Sequence, residues 1–202
     1  MDARNGVMPL QDIKRMAHVK RWQIVQVNRE QTLAEHSALV ALYALELFNR
    51  LVKKPSHQQS NWCNFKYDIL LWGLVHDAPE VYTGDICALS KEAIGPEGLK
   101  GLEILERNTG PAYAEVADRP HYIVQGVVKL ADFLEALVFM RSAEPVNRTN
   151  HYISVYAGLE ERYMVHGLHF LETLRFNGVS NIEGGPAMEK AFLHNFQAEA
   201  QA

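Results

Sequence analysis

Two carboxylates stand where a carboxylate is costly. Asp77 lies in the most apolar stretch of the chain, Tyr67 to Tyr82, and Asp132 lies in another, His121 to Arg141. An unpaired charge buried there carries a large desolvation penalty. A divalent cation removes that penalty. With His36 and His76, the two acids form a borderline nitrogen and oxygen ligand set suited to Zn, Co, Mn or Fe. On a helix Glu80 falls four residues after His76 and three after Asp77, so the three side chains reach toward one region. Pro79 has no N–H and would leave the Val75 carbonyl without its helical donor, which predicts a kink or local irregularity at the same place. Each residue alone reads as an ordinary capped or hydrogen-bonded group; their conjunction sets them apart. Lys129 precedes Asp132 by one helical turn and projects to the same region. Cys87 has no acyl-transfer constellation around it and reads as an inert thiol.

The elements that must position these residues are helices. Apolar residues recur at three- and four-residue intervals, and no segment alternates with period two over the length of a strand, so the expected class is all-α. From Glu35 to Leu51, a face of Leu39, Leu42, Tyr43, Phe48 and Leu51 precedes Lys53-Lys54-Pro55, a cationic stop with a breaker. Residues 55 to 64 read as a polar loop. Tyr67 to Tyr82 carries Ile69, Leu70, Leu71, Trp72, Leu74 and Val75 on most sides, as a central buried helix would. Gly95-Pro96-Glu97-Gly98 is expected to split Ser90 to Arg107 into two short helices. A long helix from His121 to Arg141 follows. Thr149 caps another running to Phe176, and Pro186 opens a last one to Ala200.

Composition narrows the classes further. The chain has 202 residues, 48% of them apolar, and 20 Lys+Arg against 24 Asp+Glu, with no repeat or linker, which suits one helical unit over 1–202. A net charge of −4 without a like-charge run gives no footprint for polymeric nucleic acid or an anionic membrane, so a small partner is expected. No apolar stretch approaches the ~20 residues of a span, and no apolar h-region follows Met1. Cys63 and Cys87 make no disulfide framework, which points to reduced thiols in a cytoplasm. The His-Glu-x-x-His, phosphate-loop and Glu-x-x-His motifs of other classes are missing.

In order along the chain, Arg21-Trp22, Glu35-His36-Ser37, His76-Asp77-Ala78-Pro79-Glu80, Thr83-Gly84-Asp85, Lys91, and Lys129 with Asp132 resemble the successive motifs of the YfbR-type 5′-deoxynucleotidases. They also resemble the phage HD-type dATP triphosphohydrolases. Both lie within the HD-domain phosphohydrolase superfamily, with its H…HD…D signature. The similarity covers residues 15 to about 140. The resemblance implies an all-α HD-domain helical bundle, with helices over about 149–200 completing it or forming an oligomer interface. It implies that His36, His76, Asp77 and Asp132 bind a divalent metal (Zn, Co or Mn, with a second ion entering with the phosphates). It implies too that Glu80 positions or deprotonates water, or passes a proton to the leaving oxygen. Arg21, Lys91 and Lys129 are the cations for the phosphate oxygens. In such enzymes the Arg-Trp pair and the acid after Thr83-Gly84 contact the sugar, which makes Trp22 and Asp85 sugar-binding candidates.

An indole packed where a 2′-OH would point leaves that hydroxyl without a partner, whereas Asp85 can accept from a 3′-OH. The chain departs from the deoxynucleotidase pattern after Asp85, where Ile86-Cys87-Ala88-Leu89 lacks prolines. Ile24 and Leu89 could then form an apolar slot for a purine. Three cations suit three phosphates better than one. The leading expectation is therefore a dATP-preferring triphosphohydrolase that releases deoxynucleoside and triphosphate. The alternatives are a 5′-deoxynucleotidase acting on dNMPs and, in another class, a non-catalytic helical regulatory protein with a vestigial metal site. Tyr152, Tyr156, Tyr163, His166 and Phe170 form an aromatic stripe, read as core or as the self-association face of a homo-oligomer.

Overall fold

In the computed structural model, which describes residues 8–54, 59–86, 91, 93–109 and 121–202, helices are the regular structure and no strand occurs among the described residues. They are α1 (Leu10–Arg15), α2 (Leu33–Leu51), α3 (Gln59–Val75), α4 (Glu80–Thr83), α5 (Gly95–Thr109), α6 (Tyr122–Ser142), α7 (Asn150–Phe176) and α8 (Pro186–Gln201). Local chemistry sets the starts. The Thr32 hydroxyl accepts from the Glu35 N–H, the His121 ring from Ile123 and the Thr149 hydroxyl from Tyr152. Pro186 occupies the first turn of α8.

The central helix is α6. Val124, Val127, Leu130, Ala131, Leu134 and Leu137 are fully enclosed, with α2, α3, α7 and α8 packed around them. The apolar run of α3 suggests that place for it, but α3 is not the central helix: Tyr67 is 66% and Leu74 46% exposed. Packing on α2 and α6 buries only one side of α3, so its apolar residues on the other side stay at the surface. The helix also begins at Gln59, inside the stretch expected as a loop.

The α2 face is rotated from its expected orientation. Leu42 is 60% exposed, and the buried stripe runs Leu33, His36, Ser37, Val40, Ala44, Leu47, Phe48 and Leu51. Small and polar members belong to it because its N-terminal half faces a polar site rather than a core. The chain breaks at Ile94–Gly95, where Gly95 has φ +68°, and α5 then continues through Pro96 and Gly98 instead of being split by them. The aromatic stripe is core: Tyr152, Tyr163 and Phe170 are buried, and the Tyr163 hydroxyl donates to the Leu193 carbonyl at 3.1 Å.

One close approach governs how α3 meets α2. A Cβ on Gly73 would lie 2.6 Å from Ala41 Cα, a backbone atom that cannot swing aside. Replacing a helix-interior glycine by alanine ordinarily gains about 1 kcal/mol. At Gly73 the overlap reverses the sign, and Gly73→Ala is expected to lower stability by about 1–3 kcal/mol. Gly101, in α5 with nothing within 4 Å of its would-be Cβ, is the control. Thermal melts of the two variants check this: a Gly73→Ala melting temperature equal to or above wild type would contradict the packing.

Candidate active site

Three elements deliver the four expected ligands. His36 comes from the second turn of α2, His76 and Asp77 from the irregular turn after α3, and Asp132 from the middle of α6. The turn is the irregularity expected around Pro79, and the Val75 carbonyl accepts from Ala78 at 3.0 Å in place of its missing helical donor. His36 Nε2 lies 3.4 Å from Asp77 Oδ2 and 3.3 Å from Asp132 Oδ1, and His76 Nε2 lies 3.3 Å from Asp77 Oδ2. One ligand atom each of His36, His76 and Asp132 falls within 4.8 Å of the others.

The far sides of the two rings are engaged. His76 Nδ1 meets the Gly73 carbonyl at 2.9 Å, and His36 Nδ1 meets Glu135 Oε2 at 2.5 Å. A carbonyl only accepts, so His76 carries its proton on Nδ1 and turns a bare Nε2 inward. Both Nε2 atoms are buried without a hydrogen-bond partner. Two orphaned imidazole nitrogens facing two carboxylates are the donor set a divalent cation takes, and these residues fit one.

The same carboxylates also attract a proton to the His36 ring. Burial and the Arg21 guanidinium disfavour a charged His36, but the acceptor oxygens of Asp132, Asp77 and Glu135 outweigh them and hold its pKa well above the usual imidazole range. Burial favours a neutral Asp77, yet the imidazoles of His76 and His36 beside it keep it well below the carboxylate range. Lys129 and His36 do the same for Asp132 against its burial. Glu80 goes the other way: burial, then the negative charges of Asp77 and Asp85, push it up to about 9. Its Oε2 is buried and unpartnered, and Oε1 lies 3.5 Å from Lys91 Nζ.

The cations sit on the acids. Arg21 Nη1 is 3.1 Å from Asp77 Oδ2, and Lys129 Nζ donates to Asp132 Oδ2 at 2.8 Å. A cavity of about 980 Å³ opens over this centre, lined by Arg21, Trp22, Ile24, Asp77, Glu80, Asp85, Lys91, Lys129 and Asp132. Trp22 holds a left-handed backbone (φ +63°), rare for a non-glycine residue. Its ring stacks on Phe139 with centroids 5.6 Å apart, and its Nε1 donates to Gln31 Oε1 at 2.8 Å.

One expected site residue, Thr83, falls elsewhere. Thr83 is not among the lining residues; its hydroxyl donates to the Gly84 carbonyl at 2.9 Å and shapes the turn that carries Asp85. Leu89, like Cys87, lies outside the described residues. The reading from sequence missed Gln31 and Glu135, and also the α7 wall of His151, Gly158 and Arg162. Glu135 had a signal: it is a further acid in an apolar helix, one turn after Asp132.

Residues 10–95 match the family described as 5′-deoxynucleotidase YfbR-like. The chain is 34% identical over 158 residues to the dATP triphosphohydrolase of Salmonella phage PMBT28, spanning 77% of this chain and 76% of that one. It is 26% identical over 164 residues to the dATP triphosphohydrolase of Acinetobacter phage SH-Ab 15497, spanning 78% of each. Its fold superposes with a TM-score of 0.72 on the cyanophage S-2L HD phosphohydrolase bound to dA and one catalytic Zn2+ ion, at 22% identity and over 98% of both chains. The chain belongs to the HD-domain phosphohydrolases, in the family of the phage dATP triphosphohydrolases.

Proposed function

We infer that the protein hydrolyses the bond between the 5′ oxygen and the α-phosphorus of dATP, releasing deoxyadenosine and triphosphate. The carrying observation is the convergence of His36 Nε2 and His76 Nε2, neither with a hydrogen-bond partner, on the Asp77 and Asp132 carboxylates, next to a cavity whose lining carries Glu80 with Arg21, Lys91, Lys129 and Arg162. The two phage relatives named above, both dATP triphosphohydrolases, support the substrate.

His36, His76, Asp77 and Asp132 would hold the divalent cation, as Zn, Co or Mn. Such an ion supplies Lewis-acid polarisation of the phosphoryl group and of a nearby water. Arg21, Lys91 and Lys129 line the same cavity and balance the charge of the phosphate chain, the growing charge at the α-phosphorus included. Glu80 holds a proton at neutral pH and donates it to the 5′ oxygen as the P–O bond breaks; the resulting carboxylate takes a proton from the attacking water, and the site is restored. Trp22 walls the sugar where a ribose would carry its 2′-OH, and Asp85 accepts from the 3′-OH. Ile24, 54% exposed at the rim, offers its side chain to the purine face. We place this activity in the cytoplasm of a phage-infected cell, as the source of the relatives suggests; among the described residues no helix is long and apolar enough to cross a membrane.

Incubating the metal-loaded protein with the four dNTPs and four dNMPs, and identifying the phosphate released, tests the reaction. Triphosphate from dATP is expected. Orthophosphate from dNMPs alone would make the protein a 5′-deoxynucleotidase, and no product from any nucleotide would favour a non-catalytic helical protein. Trp22→Ala is expected to narrow the preference for dATP over ATP, measured as the ratio of kcat/KM values. An unchanged ratio would mean that the sugar is read elsewhere.

A further inference from the structure

Behind the metal-ligand cluster runs a buried line of hydrogen bonds whose directions are fixed from one end. An indole N–H can only donate. Trp22 Nε1 donates to Gln31 Oε1 at 2.8 Å, so the amide must turn its NH2 the other way, where Nε2 meets Glu135 Oε1 at 2.5 Å. Reversing the amide would set two donors face to face at Trp22 and two acceptors face to face at Glu135. The second Glu135 oxygen meets His36 Nδ1 at 2.5 Å. Gln31 and His36 are 0% exposed and Glu135 1%, so no solvent is at hand to replace a lost partner.

We propose that Glu135 is a positioning residue for His36, and that Gln31 and Trp22 are the outer members of a relay fixing which His36 nitrogen faces the cation. Trp22 donates, Gln31 passes the direction on, and Glu135 receives at both oxygens. His36 then holds its proton on Nδ1 and offers the Nε2 lone pair to the gap between Asp77 and Asp132. The same indole that walls the cavity thus also bears on His36, through Gln31 and Glu135. A network that merely satisfied buried groups would need no defined direction, and apolar side chains of similar shape would serve as well. Here every bond has one allowed sense, and the line ends on an orphaned ligand nitrogen.

This inference rests on His36 being a metal ligand, and its test reads the metal rather than turnover. Zn2+ affinity is measured by chelator competition on metal-stripped wild type, Glu135→Gln, Trp22→Phe and the exchange Gln31→Glu with Glu135→Gln. The His36 ring nitrogens are followed by nitrogen NMR on the zinc-loaded proteins, and thermal melts confirm folding. Glu135→Gln places one amide between two donors and is expected to weaken Zn2+ binding about 10–100-fold. The exchange restores a consistent order: the carboxylate now at position 31 accepts from Trp22 and from the amide NH2 now at position 135, and the oxygen of that amide accepts from His36. It is expected to recover the Nδ1-protonated signature of His36 and most of the lost affinity. Trp22→Phe keeps an aromatic ring beside Phe139 and removes the N–H with the five-membered half of the indole; a smaller loss in the same direction is expected, and it serves if Glu135→Gln does not fold. A wild type that binds no Zn2+ would overturn the metal reading itself. A wild type that binds, with Glu135→Gln or Trp22→Phe unchanged in affinity and His36 signature, would overturn the relay alone. An exchange variant that folds but recovers nothing would overturn its directionality.

Discussion

Glu80→Gln is expected to keep the bound cation and lose about 10²–10⁴-fold in kcat, the usual contribution of a general acid and base. The size follows from the group's state. Glu80 is 4% exposed, close enough to the charges of Asp77 and Asp85 to be held at about 9, and therefore protonated at neutral pH without contributing to the ligand set. Glutamine keeps the shape and the contact with Lys91 but cannot release a proton to the 5′ oxygen. Unchanged metal content with lost turnover is the expected pair of results, and full activity would remove Glu80 from the chemistry.

A second consequence is visible in the metal-stripped protein. The folded chain keeps Glu80 protonated up to about 9, while an unfolded one ionises it near 4.5. This contribution to stability is present in full below the unfolded value, shrinks as pH rises between the two, and is gone above the folded one. Glu80→Gln has no such loss, so its melting temperature should rise relative to wild type between about pH 5 and pH 9, as the linkage relation requires. A constant difference over that interval would mean that Glu80 is not protonated in the folded state.

What the sequence disclosed here followed from local rules. The bounds of α6, α7 and α8 were legible because Thr149, Pro186 and the apolar periodicity act within a few residues of where they stand. That Asp77 and Asp132 come together beside His36 was legible in part because a carboxylate in an apolar helix is a conflict visible without any structure. Glu135 presents the same conflict, one turn from Asp132, but lies outside the residues that carry the resemblance. Leucine spacing alone puts Leu42 on the buried side of α2, whereas that helix turns His36 and Ser37 inward and leaves Leu42 exposed. The α7 wall was not legible at all. His151, Gly158 and Arg162 reach the cavity only because α7 packs back across α6, a relation between segments that no single stretch of sequence records.

His76→Ala should abolish metal-dependent turnover while leaving the fold standing, and the contrast between the two effects is its diagnostic value. The side chain is 11% exposed, just past the end of α3, and its Nδ1 meets the Gly73 carbonyl in the last turn of that helix at 2.9 Å. Removing it forfeits one hydrogen bond, about 1 kcal/mol, and some burial at the edge of the core. The same change takes away one of the four proposed ligands. Asp77 and Asp132 are then left facing each other across the gap with His36, Arg21 and Lys129 as their remaining counter-charges. The loss of turnover should equal or exceed that of Glu80→Gln, since both the polarised phosphoryl group and the polarised water are lost together. Wild type held at a hundredfold excess of Zn2+ over its Kd should lose about 2.7 kcal/mol of stability when a chelator strips the ion. His76→Ala should show no such shift, because it has no bound ion to lose. Elemental analysis, melts with and without chelator, and turnover of dATP give the three readouts. A variant that retained stoichiometric metal, a chelator-sensitive melt and wild-type activity would move the metal centre away from His76.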